Sequence, residues 1–276
     1  HSCYYITNNA IECSQVNKVL RKEMFMKKFL SLVLSLVMLV SMGTTAFAAE
    51  KAPISFEQYA TDFESFLKSA TYSNTTLPDK VQTFISKYGK QYDTSELIHS
   101  EETKVIDLGN DNTVIIEGIM VYVNGVEDVE ATPERIAKGA VDNTASTYSA
   151  KSTSPIKKYY HAVYALVLGQ ELYRITQEAQ FTYNGSSVSV NYSDGSYQRG
   201  FLSIWQVSDF KDSSVSSITV GGVNYARVKS SANFHYGLEI QGVGLVIQDN
   251  YCWVDARCSK TGTVKGYMDA DHNLNH

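Results

Sequence analysis

Cysteine is scarce in this 276-residue chain, and only Cys252 and Cys258 fall after residue 48. On one extended strand, Cα atoms six residues apart stand roughly 20 Å from each other, against a limit of about 7 Å for a disulfide. A bridge would need a turn or bulge between them. The spacing therefore argues for two thiols and against a disulfide scaffold.

Long apolar runs are missing too. The run Phe29 to Val40 has 12 residues, two of them serine, whereas a spanning helix needs about 20. Met26-Lys27-Lys28 precedes it and the small-x-small triplet Ala46-Phe47-Ala48 follows. This is the pattern of a cleavable export signal over residues 24–48, which predicts a secreted mature chain starting near Ala49. Residues 1–23 carry no apolar period and are read as translated upstream sequence. Arg21-Lys22-Glu23 can be encoded by a purine-rich ribosome-binding stretch, so the start is expected at Met24 or Met26. No cysteine follows closely on the apolar run and Asn275-His276 ends the chain without an apolar tail. The expected product is extracellular or loosely wall-associated, with no membrane contact after cleavage.

Basic excess is absent as well. Of 24 Lys and Arg and 29 Asp and Glu, five and two lie within residues 1–48, leaving 19 against 27 and a net charge of −8. Nucleic acid is an unfavourable partner at that balance. Residues 49–150 hold 8 basic and 17 acidic residues, and residues 151–276 hold 11 and 10. The asymmetry predicts two units of different character.

A complete metal or catalytic constellation is lacking. The tail from Asp269 to His276 offers oxygen ligands at alternate positions, but Leu274 stands where a calcium loop needs glycine and no glutamate follows. No metal and no cofactor are expected. Acid pairs such as Asp209 with Asp212 or Glu101 with Glu102 sit in polar connections and read as solvated surface.

What the sequence does have is periodicity. Ser55-Phe56-Glu57-Gln58 reads as a capping box, with Phe56, Tyr59, Phe63, Phe66, Leu67 and Ala70 at helical spacing behind it. A second helix is predicted from Pro78, with Val81, Phe84, Ile85 and Tyr88 on one face and Gly89 as its stop. Lys104 to Asp107 and Thr113 to Val123 predict a β-hairpin. Residues 142–155 are small and polar, and the domain boundary is placed there. A helical-hairpin and β-hairpin segment is thus expected at 49–150.

From Tyr159 onward the period is two. Tyr173, Ile175, Gln177, Ala179, Phe181 and Tyr183 alternate with polar residues, then Asn184-Gly185 predicts a turn into Val188, Val190 and Tyr192. The pattern recurs at Ala232, Phe234, Tyr236, Leu238 and Ile240. Further short strands are expected at 202–207, 215–220, 223–229, 251–258 and 263–268. The chain's 19 tyrosines suit partly buried strand positions. The prediction is an α+β chain whose residues 156–270 form an antiparallel β-sandwich.

Leu172 to Arg174, Phe181 to Val188, Trp205-Gln206-Val207-Ser208 and Cys258 to Gly262 resemble segments of uncharacterised secreted β-sandwich proteins of Gram-positive, Clostridia-like Firmicutes. The resemblance covers roughly residues 100–268 and rests on turn and strand signals. It implies an exported all-β module and carries over no catalytic residue.

Two functional readings remain. Cys252 or Cys258 with His161 or His235 as base, and Arg257 near an oxyanion, would supply the parts of a sortase-like acyl-transfer enzyme. The Thr-Leu-x-Thr-Cys strand of that family is absent, and Cys252, Val254, Ala256 and Cys258 alternate as an inward face. The same alternation turns Tyr251, Trp253, Asp255 and Arg257 to solvent. Aromatic and charged residues side by side suit a sugar or peptide surface. The leading expectation is a non-enzymatic module that binds cell-wall glycan or a surface protein.

Overall fold

A computed structural model describes residues 51–69, 75–135, 151–200, 205–240 and 243–270. The stretches expected to be upstream sequence (1–23) and an export signal (24–48), most of the polar connection at 142–155, residues 202–204 and the tail beyond residue 270 lie outside these. The elements are β1 (Ala52–Pro53), α1 (Phe56–Leu67), α2 (Leu77–Gln91), β2 (Tyr92–Asp93), β3 (Thr103–Gly109), β4 (Asn112–Glu117) and β5 (Met120–Asp128). They continue as β6 (Ser152–Thr153), β7 (Lys157–Ala165), β8 (Gln170–Tyr183), β9 (Val188–Arg199), β10 (Trp205–Val220), β11 (Val223–Ile240), β12 (Val243–Ser259) and β13 (Val264–Ala270).

The helical hairpin forms as its apolar spacing dictates. Ser55 caps α1 by accepting from the Gln58 amide, and Phe56, Tyr59, Phe63 and Leu67 are buried. Thr76 caps α2, with Pro78 in its first turn and Val81, Phe84, Ile85 and Tyr88 buried. Phe63 and Phe84 stack across the hairpin with centroids 4.3 Å apart. Gly89 does not end α2, which runs on to Gln91. A Cβ at Gly89 would stand 2.8 Å from the Leu166 carbonyl oxygen, so this glycine admits the chain after β7 against the helix.

One sheet has the order β3-β4-β5-β7-β8, with β6 and β9 also paired to β8; a second has the order β10-β11-β12-β13. All these ladders are antiparallel. The predicted single strand at Thr113 to Val123 is two strands, because Gly118 at φ 53° turns the chain between β4 and β5. β5 pairs with β7 from Met120↔Ala165 to Asp128↔Lys157. The larger sheet therefore crosses the boundary placed at 142–155, and the N-terminal hairpin and the strands after residue 156 share a single sheet. The acidic bias of residues 49–150 does not mark a separate β unit.

The two sheets pack face to face as the predicted sandwich. Tyr173 on β8 stacks on Phe234 of β11 at 4.3 Å and meets Trp205 of β10 edge-on at 5.0 Å. Ala226, Val228, Ala232 and Phe234 of β11 and Cys252, Val254, Ala256 and Cys258 of β12 complete this inner face, all fully buried. Short strands expected at 215–220, 223–229 and 251–258 are parts of β10, β11 and β12, which bend at bulges instead of ending. The register shifts at Ser208/Lys211, Val215/Ile218 and Tyr236/Gly237.

Candidate functional site

Because β12 buries Cys252, Val254, Ala256 and Cys258, its alternate residues Tyr251, Trp253, Asp255 and Arg257 must occupy the sheet's outer face. Antiparallel register adds the neighbours. Arg227 lies across from Arg257, Lys229 from Asp255, Ser231 from Trp253 and Asn233 from Tyr251. On the other side, β13 sets Lys265 beside Arg257 and Tyr267 beside Asp255. Tyr251, Trp253 and Arg257 are partly exposed and Tyr267 is 40% exposed.

Asp255 departs from the sequence expectation. It lies on the outer face but is fully buried, because two long basic side chains close over it. Arg227 Nη2 is 2.7 Å and Arg257 Nη2 2.8 Å from Asp255 Oδ2. Arg257 Nε is also 3.3 Å from both carboxylate oxygens. The hydrogen bond to Asp255 holds the Arg257 guanidinium above its usual pKa, and the two oxygens leave the Arg227 Nε buried without a hydrogen-bond acceptor. One carboxylate thus serves two guanidiniums, and the triad keeps one positive charge.

Two of the cations on this face lie over aromatic rings. Lys229 Nζ lies 5.3 Å from the Trp253 centroid and 5.9 Å from that of Tyr251. The Arg257 guanidinium stands 4.5 Å over Tyr267. These ring faces hold the charges in place through the quadrupole attraction of cation–π contacts. Arg227, Lys229 and Tyr267 were not among the sequence candidates, because they reach the site only through cross-strand register.

The cysteine–histidine reading finds a different environment. Cys252 and Cys258 are buried thiols, and burial pushes the Cys258 thiol up to about 11. That direction opposes the thiolate a nucleophile needs. His235 points to the outer face, opposite both thiols, since its neighbour Phe234 is buried inward. His161 is buried in the sandwich, its Nδ1–H donating to Asn124 Oδ1 at 2.7 Å while its ring stacks on Tyr122. Among the described residues no three His, Cys, Asp or Glu side chains have metal-binding spacing. No described helix is long and apolar enough to cross a membrane. A hollow beside Leu168, Gln170, Leu172 and Trp205 holds about 10 Å³, room for one water.

Comparison with known protein families, with curated proteins and with solved structures finds no match for this chain.

Proposed function

We propose that this protein is a secreted, wall-associated binding module of a Gram-positive-type bacterium that docks through the outer face of β11, β12 and β13. The observation that carries the reading is the side-by-side placement of Tyr251, Trp253 and Tyr267 with Lys229 and Arg257 on one face of a sheet. An outer face needs no aromatic residues for stability, and partly exposed rings offer rigid contact area at low entropic cost. The export signal at residues 24–48 supports an extracellular setting, and the resemblance to exported β-sandwich proteins points the same way. Wall glycan and a surface protein are the two ligands this setting offers. Retention of the purified protein on isolated cell wall, and its loss in Trp253→Ala with the melting transition preserved, is the expected result. Equal retention of wild type and variant would remove the face from the reading.

A further inference from the structure

The chemistry of this face narrows the ligand. Lys211, Arg227, Lys229, Arg257 and Lys265 take outward register positions on β10 to β13. Among them stand the buried Asp255 and Asp269 at the position across from Trp253, while the acids Asp209, which accepts from Asn233 at 3.3 Å, Asp249 across from His235, and Glu239 take register positions beyond these rows, toward and past Tyr251. In the three rows from Trp253 to Arg257, five positive positions against two negative ones make this part of the face basic on a chain whose net charge is −5. Local charge opposite to the whole molecule's is a signature of complementarity to an anion.

The basic groups also alternate with rings. Lys229 is carried on Trp253 and Tyr251, and Arg257 on Tyr267. A cation already held on a ring loses little further freedom when it meets an anion. The aromatic surfaces ask for a ligand with flat apolar faces of its own, which the C–H faces of a pyranose ring provide and a linear polyol phosphate chain does not. The lysines ask for negative charge repeated along that ligand. We infer that the ligand of this face is an acidic polysaccharide, with pyranose rings on Trp253 and Tyr251 and its carboxylates beside Lys229 and its basic neighbours. The inference rests on the reading of this face as a binding surface and adds the ligand's class.

The test uses purified protein and immobilised homogalacturonan, beside the same polymer after carboxyl reduction, which keeps the pyranose chain and removes its charge. Binding to homogalacturonan is expected to exceed binding to the reduced chain by roughly five- to tenfold, the effect of two or three exposed ion pairs. The difference should shrink as salt rises. Lys229→Gln should weaken homogalacturonan binding by roughly threefold without moving the melting temperature, and Trp253→Ala should weaken binding to both polymers. Equal binding to charged and reduced chains would overturn the inference, as would tighter binding to poly(glycerol phosphate) than to homogalacturonan. If wall retention depends on Trp253 while homogalacturonan is ignored, the acidic-polysaccharide inference fails and the binding-module reading stands. If wall retention is itself independent of Trp253, both fail.

Discussion

Ser230 on β11 donates its hydroxyl hydrogen to Gln177 Oε1 on β8 at 2.5 Å, and both residues are fully buried. This hydrogen bond spans the gap between the two sheets. The Gln177 amide donates to Ser193 Oγ and to the Glu178 carbonyl, each at 3.0 Å, so every hydrogen-bonding group of the side chain has a partner. Ser230→Ala should cost about 1–3 kcal/mol in urea denaturation, because it strands a buried acceptor. The double variant Ser230→Ala with Gln177→Leu should recover part of that loss, since removing both partners leaves nothing unsatisfied. A single variant as stable as wild type would show that water replaces the serine.

Gly125 sits in the middle of β5, where strand propensity would favour valine. Its register partner on β7 is Tyr160, whose buried ring lies across it. A Cβ at Gly125 would stand 2.2 Å from the Tyr160 hydroxyl oxygen and 2.3 Å from Cζ. Gly125→Val should therefore destabilise by roughly 1–3 kcal/mol through overpacking, the reverse of its propensity effect. Thermal melting decides the sign, and a stabilised Gly125→Val would mean that Tyr160 has another place to go.

Arg227 and Arg257 face each other across β11 and β12, and like charges at such positions repel. Asp255 beneath them turns the pair into a bridged triad. Asp255→Asn keeps the volume and removes the charge. It should cost about 3–5 kcal/mol, the loss typical when one partner of a buried ion pair is deleted. Added salt should return part of it by screening the exposed side of the two guanidiniums. A loss under about 1 kcal/mol would mean that the arginines swing to solvent and that Asp255 does not organise the face.

Burial raises the Cys258 thiol from its ordinary value near 9 to about 11. The fold thus favours the protonated form, so this contribution to stability is complete below pH 9 and is lost as pH climbs toward 11. Buried tyrosines including Tyr122, Tyr159, Tyr164 and Tyr173 are shifted upward by desolvation as well and act in the same direction. Urea midpoints should fall between pH 9 and 11, and iodoacetamide at pH 8 should spare both thiols until denaturant is added. Rapid native alkylation of Cys252 or Cys258 would instead return the acyl-transfer reading.

The sequence was informative where a period repeats without interruption. Phe56, Tyr59 and Phe63 announce α1, Tyr173 to Phe181 announce β8, and Cys252 to Cys258 announce the inner face of β12. It was uninformative where polar residues stay in a ladder. Asp212, Ser213 and Ser214 fall between the short strands expected at 202–207 and 215–220, yet they belong to β10, whose backbone remains paired with β11 through two bulges. The boundary at 142–155 failed for a related reason: a polar stretch tells of exposure, not of whether the strands on either side pair with each other. Of the candidate face, Tyr251, Trp253, Asp255 and Arg257 were legible as one side of one strand. Arg227, Lys229 and Tyr267, and the burial of Asp255, depend on register between strands that no local pattern encodes.

Trp253 separates a binding role from a structural one. Its ring lies on the outer face, partly exposed, with Lys229 Nζ at 5.3 Å, while its neighbours Cys252 and Val254 are buried. A core tryptophan truncated to alanine loses about 3–5 kcal/mol, because its cavity and its buried apolar area are both lost. On the outer face there is no cavity to leave, and an exposed cation–π contact contributes only about 0.5–1 kcal/mol. Trp253→Ala should therefore lower stability by about 1 kcal/mol in chemical denaturation. Trp205, buried and edge-on to Tyr173, supplies the internal contrast, and Trp205→Ala should reach the core range. If the two variants lose equal stability, Trp253 is part of the packing and its effect on wall retention cannot be assigned to ligand contact. If Trp253→Ala stays folded and leaves the wall fraction, the ring contributes to binding and the face of β11 to β13 is where the ligand sits.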